Sequence, residues 1–130
     1  MHELSVGITT NNYFSGPSRN FYNFDYTCLG SSGGSGGVVG ADIVPVALGV
    51  DTGGSIRLPA HALGAYGFRP SDGRWPTDRL GLHLSKLRDA VGPITRSAED
   101  VALLDQVVQG SNDGLSEVPP LKGLRIGIPQ

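Results

Sequence analysis

The chain has 130 residues, a formal net charge of −2 and only two lysines, Lys86 and Lys122, so it offers no basic patch for nucleic acid and no polybasic segment for an anionic membrane. No apolar run approaches the roughly 18–20 residues of a membrane span, and no charged-then-apolar N-terminus marks a secretory leader. The single Cys28 excludes an internal disulfide framework and fits a reducing compartment, here read as cytoplasmic.

Twenty glycines and nine prolines make up 29 of the 130 residues, well above the usual share of about 12%. The glycines cluster without a repeat, which marks a loop-rich globular chain in which backbone approaches other groups closely. The length suffices for one domain that buries roughly two-thirds of its unfolded surface.

In chain order, residues 1–27 are polar and aromatic with no helical or alternating period, and read as an extended loop laid over a larger surface. Gly33 to Ala41 reads as a helix whose start points at the Ser31-Ser32 loop. Val44 to Val50 is a buried strand, Ile56 to Leu63 a short helix and Gly64 to Phe68 another strand. Gly73, Pro76 and Gly81 break residues 71–87 into a loop. Ala90 to Thr95 is a strand, and Ser97 caps a helix with Glu99 and Asp100 in its first turn. That helix carries an apolar stripe at Val101, Leu104 and Val108 and stops at Gly110. Residues 111–120 form a linker and Leu124 to Ile128 a last strand. Strands alternating with helices imply an α/β layered fold.

Chemistry concentrates in two serine-bearing glycine loops at the ends of one packed unit. Gly30-Ser31-Ser32-Gly33-Gly34-Ser35-Gly36 opens it and Asp51-Thr52-Gly53-Gly54-Ser55-Ile56-Arg57 closes it, with Ser31 and Ser55 separated by 24 positions. Flanking landmarks are Met1-His2-Glu3-Leu4, Gly7 to Asn12, Gly67-Phe68-Arg69-Pro70-Ser71 and Gly92 to Asp100. This ordered string resembles the amidase signature family, serine hydrolases that cleave carboxamides with a Ser-Ser-Lys triad. Within that family it is most similar to the indoleacetamide and mandelamide hydrolase branch.

The resemblance implies a partial amidase signature domain over 1–130, its central segment, with a mixed β-sheet core covered by helices. It implies Ser55 as nucleophile, Ser31 as the bridging serine on a cis peptide bond, and Ser32 in support. The N–H groups of Thr52, Gly53, Gly54 and Ser55 line the implied oxyanion hole. Asp51 and Arg57 bracket the loop as an ion pair or hydrogen-bond network that fixes its shape. Amide cleavage of this kind needs a nucleophile, a base and oxyanion donors, and no metal or organic cofactor. The implied partner is a small-molecule amide; oligomeric state is not indicated.

The sequence also departs from the family pattern. No lysine precedes Ser31, so the implied catalytic lysine is absent and Lys86 and Lys122 read as solvated surface groups. We therefore expect a fragment of a longer enzyme, or else an inactive truncated homologue. A third reading is a subunit of a glutamyl-tRNA amidotransferase-type transamidation complex. Leu29 stands where the family carries glycine and restricts the backbone entering the bridging loop. His61 replaces a small residue and reads as a packed side chain, and Cys28 as a buried thiol. A Ser-His-Asp hydrolase using His2, His61 or His83 is disfavoured, because Gly53-Gly54-Ser55-Ile56-Arg57 lacks the last glycine of the nucleophile elbow. Gly34-x-Gly36-x-x-x-Gly40 has the wrong spacing for a dinucleotide loop.

Overall fold

The structure is a computed structural model that describes residues 1–81, 83–111, 122–125 and 127–128. Residues 1–27 are more ordered than their lack of periodicity implies. A 3-10 turn at Glu3–Ser5 is followed by two antiparallel ribbons. One pairs β1 (Asn11–Asn12) with β2 (Gly16–Pro17), and the other pairs β3 (Arg19–Asn20) with β4 (Asn23–Thr27). Their signal is local turn chemistry rather than periodicity. Asn12 Oδ1 accepts from the N–H groups of Phe14 and Ser15, and Asn20 Oδ1 accepts from that of Tyr22.

Helix α1 (Gly33–Gly40) follows the first glycine loop, and strand β5 (Val46–Asp51) leads into the second. With five glycines among its eight residues, α1 has little intrinsic tendency to be helical. Packing holds it instead. A Cβ on Gly36 would stand 3.0 Å from side-chain atoms of both Leu63 and Pro59, tighter than an ordinary contact, so glycine there lets α1 lie close to α2 (Arg57–Ala62) without displacing them. Gly49 of β5 does the same for the start of α1, since a Cβ there would meet Ser32 Oγ at 2.7 Å.

The main sheet has the order β5-β7-β6, where β6 is Tyr66–Gly67 and β7 is Ala90–Thr95. Every described pairing is antiparallel. Asp51 lies opposite Ala90, Val46 opposite Thr95, and Gly67 opposite Ile94. Val39, Ile56, Ala60 and Ile94 form the core between this sheet and the first two helices, with Val44, Ala47 and Ala65 against it. The architecture is α/β, as expected.

Helix α3 (Ala98–Gln109) packs on β7. Ser97 Oγ accepts the Asp100 N–H at 3.0 Å, and Gly110 ends the helix with φ +64°. Asp105 on α3 accepts from Arg74 Nε at 2.8 Å and Trp75 Nε1 at 2.9 Å, which pins the loop at Arg74 and Trp75 to this helix. Of the expected apolar stripe, Val101 and Leu104 are half-buried and Val108 is 40% exposed. The expected linker lies outside the described residues apart from Ser111. Of the expected strand at 124–128, Ile126 lies outside them too, and Leu124, Arg125, Gly127 and Ile128 form no strand. Among the described residues, no helix is long and apolar enough to cross a membrane.

Candidate active site

The two glycine loops meet. The Ser32 N–H donates to the Ser55 carbonyl at 3.1 Å, and the Ser32 hydroxyl bridges the backbone of Val50, accepting from its N–H at 3.3 Å. Both contacts follow from α1 starting against β5, so the fold delivers one serine loop to the other. Ser31 and Ser32 are fully buried, and Ser55 is half-buried.

Ser31 is held from behind. Its carbonyl accepts from the His2 N–H at 2.9 Å and from Thr10 Oγ1 at 3.2 Å. Thr10 Oγ1 also accepts the Gly33 N–H at 3.0 Å and stands 2.7 Å from the Leu29 carbonyl, so one buried hydroxyl spans the whole loop. The Gly30–Ser31 peptide bond is cis, and Leu29 enters it with φ +59°, in the left-handed region that glycine favours. Ser31 Oγ itself is buried with no hydrogen-bond partner among the described residues, Ser55 included. Cys28 beneath this loop is fully buried, and burial pushes its thiol above the ordinary value.

The second loop winds around the Asp51 carboxylate. Oδ1 accepts the Gly54 N–H at 2.7 Å and Arg57 Nη2 at 3.0 Å. Oδ2 accepts the Ile56 N–H and Arg57 Nε, both at 3.1 Å, and Arg69 Nε approaches Oδ1 at 3.6 Å. Burial alone would raise the Asp51 carboxyl. The Arg57 guanidinium and the Ile56 and Gly54 N–H groups outweigh it and hold the pKa below the ordinary carboxylate value.

This network changes the reading of the oxyanion donors. Gly54, at φ +125°, turns its N–H onto Asp51, whereas those of Thr52, Gly53 and Ser55 donate to no other described residue. Among the described residues, the arrangement leaves three of the four expected N–H groups free around the Ser55 loop.

Sequence reasoning overlooked Thr10 and Asp89. Thr10 sat inside a quoted landmark without a role, and Asp89 ends an irregular loop where no periodicity flags it. The Thr52 hydroxyl donates to Asp89 Oδ1 at 2.6 Å. Burial raises the Asp89 carboxyl, but the Thr52 hydroxyl and the Ser85 and Leu84 N–H groups, with His83, bring it below its ordinary value. The expected packed His61 is instead exposed on α2, because its face of that short helix turns away from the core. None of His2, His61 and His83 hydrogen-bonds to Ser55 among the described residues. Those residues also hold no group of three His, Cys, Asp or Glu side chains fit to bind a metal ion.

A cavity of about 380 Å³ lies beside these loops, lined in part by His2, Leu4, Val50, Leu80, Leu84 and Asp89. Three of its walls bond directly to the signature: His2 to Ser31, Val50 to Ser32, and Asp89 to Thr52.

A family model described as Amidase matches residues 1–129. The chain belongs to the amidase signature family. Within that family it is 47% identical over 129 residues to an indoleacetamide hydrolase of Rhizobium radiobacter, covering 99% of this chain and 27% of that protein. It is 44% identical over 133 residues to a mandelamide hydrolase of Pseudomonas putida, covering 98% of this chain and 26% of that protein. A crystal structure of an amidase superposes with a TM-score of 0.84 at 43% identity, covering 91% of this chain and 27% of the other. The chain thus spans about a quarter of the length of the amidases it matches.

Proposed function

We propose that this chain carries the nucleophile of a hydrolase that cleaves the carbon–nitrogen bond of small carboxamides through a serine acyl-enzyme. The observation that carries the reading is the Ser32 N–H bond to the Ser55 carbonyl, which brings the two serine loops into one site. Ser55 Oγ attacks the amide carbon, and its proton passes to Ser31 Oγ, whose own proton moves on to a base. The N–H groups of Thr52, Gly53 and Ser55 receive the oxyanion as it develops. When the tetrahedral intermediate collapses, the C–N bond breaks, and the departing ammonia or amine takes the proton held by the base. Water then cleaves the ester at Ser55 by the same route in reverse.

The base is the one part that these residues do not supply. In this reading it is a lysine on polypeptide outside the 130 residues, facing the unpartnered Ser31 Oγ. General-base assistance contributes typically about 10²–10⁴-fold, so the chain by itself turns over amides poorly.

The test grafts residues 1–129 in place of the matched segment of the indoleacetamide hydrolase and follows ammonia release from aryl and alkyl carboxamides. Expected is a working chimera whose turnover falls by about 10³-fold or more in Ser55→Ala. A chimera that folds but releases no ammonia overturns the reading, as does one that is indifferent to Ser55→Ala.

A further inference from the structure

We propose that Asp89 is a positioning residue for the nucleophile loop, acting through Thr52 on the backbone that presents the Gly53 and Ser55 N–H groups. The inference rests on the reading of Ser55 as nucleophile. Asp51 clamps one side of the loop by holding residues 54, 56 and 57. The other side begins at Thr52, where β5 has ended. Gly53, next in line, is exposed, and nothing stands within 4 Å of where its Cβ would be. Among the described residues, the hydrogen bond that restrains that half of the loop is made by the Thr52 side chain, and its partner is Asp89.

Register explains why Asp89 meets Thr52. Ala90 pairs with Asp51 in the β5–β7 ladder, so the residue before Ala90 lies across from the residue after Asp51. Asp89 is 6% exposed, and its second oxygen, Oδ2, accepts the Ser85 N–H at 3.1 Å. The same oxygen lies 3.6 Å from His83 Nδ1, which is buried and otherwise unpartnered among the described residues. A neutral acceptor would satisfy the Thr52 hydroxyl equally well as a matter of bond count. A buried carboxylate is costly to desolvate but makes a shorter and stiffer bond. That cost is understandable at a loop whose backbone must hold still for an oxyanion, and Asp89 also forms one wall of the cavity beside the serines.

The test compares Asp89→Asn, Thr52→Val and Thr52→Ser with a control, Ser97→Ala, which weakens α3 away from the loop. In the 130-residue chain, amide exchange at Gly54 and Ile56, whose N–H groups the loop holds on Asp51, quickens about tenfold in Asp89→Asn and Thr52→Val, as expected when loss of one charge-assisted bond lets the loop open. Thr52→Ser restores the slow exchange, and Ser97→Ala leaves these amides unchanged while lowering the melting temperature. In the chimera, Asp89→Asn lowers kcat by about tenfold to a hundredfold with KM nearly constant, because displaced donors weaken transition-state binding alone. Unchanged exchange at the loop amides overturns the proposal. So does quickened exchange with unaltered kcat. If the parent chimera is inactive, the function reading fails, and the exchange data alone decide the role of Asp89.

Discussion

At the scale of single residues, Asp51 does most to shape the site, and its chemistry predicts a specific pH dependence. Its carboxyl is fully buried and its pKa lies below the unfolded value of about 3.9. A group depressed in this way stabilises the fold above its unfolded pKa, and the contribution fades as pH falls toward the folded pKa. Arg57→Ala removes two donors from Asp51 while leaving the charge buried, which costs about 1–3 kcal/mol near neutrality. Thermal melts from pH 7 downward should show that deficit at full size until about pH 4, and then narrowing. A deficit that is constant through the acid range would show that Asp51 and Arg57 are not coupled. This pairing was legible in the sequence, because Asp51 and Arg57 bracket a short glycine loop. The Thr10 hydroxyl beneath Ser31 was not, since its partners lie 19 to 23 positions away and no local pattern encodes such a contact.

At the scale of elements, strong local signals and observed structure agree closely. Ser97 caps α3, Gly110 ends it, and β7 spans the expected Ala90–Thr95. The two ribbons in residues 1–27 went unseen, because three of their four strands have two residues and show no period. The five residues of Asn23–Thr27 alternate polar and aromatic side chains with both faces exposed, and the Asn12 and Asn20 turns are the clearer signal. Helix α1 presents the opposite case, poor in propensity yet formed, because its glycines admit neighbours. Gly49→Ala tests that account. The new Cβ would meet Ser32 Oγ at 2.7 Å and Ile56 Cγ1 at 2.9 Å, forcing α1 away from β5. We expect a loss of about 1–3 kcal/mol in chemical denaturation, as for other overpacked cores. The Ser32 bond to the Ser55 carbonyl should weaken with it. An unchanged midpoint would mean that α1 tolerates a wider seat and that its glycines matter for another reason.

At the scale of the whole molecule, the surface carries an unusual number of bare apolar side chains. Tyr13 and Phe14 are 99% and 96% exposed at the tip of the first ribbon, and Tyr22, Phe24 and Tyr26 are exposed along the second. Ile43 and Leu48 add to this beside β5, an edge of the three-stranded sheet. Apolar patches and open sheet edges drive association in water. Sedimentation of the 130-residue chain should show self-association that grows with concentration and diminishes when Tyr13 and Phe14 are replaced by serine. A monodisperse monomer at all concentrations would contradict the expectation.

The sequence by itself determined the family, the α/β class and the residues gathered at the two serine loops. These rest on side-chain identities and short-range spacing, which a linear string preserves. Only the tertiary structure decided how those residues share their hydrogen bonds. It turned the Gly54 N–H onto Asp51, left Ser31 Oγ without a partner among the described residues, and set Asp89 against Thr52 across the ladder. Each outcome depends on strand register and helix docking, and these emerge only when residues distant in the chain compete for the same buried donors and acceptors.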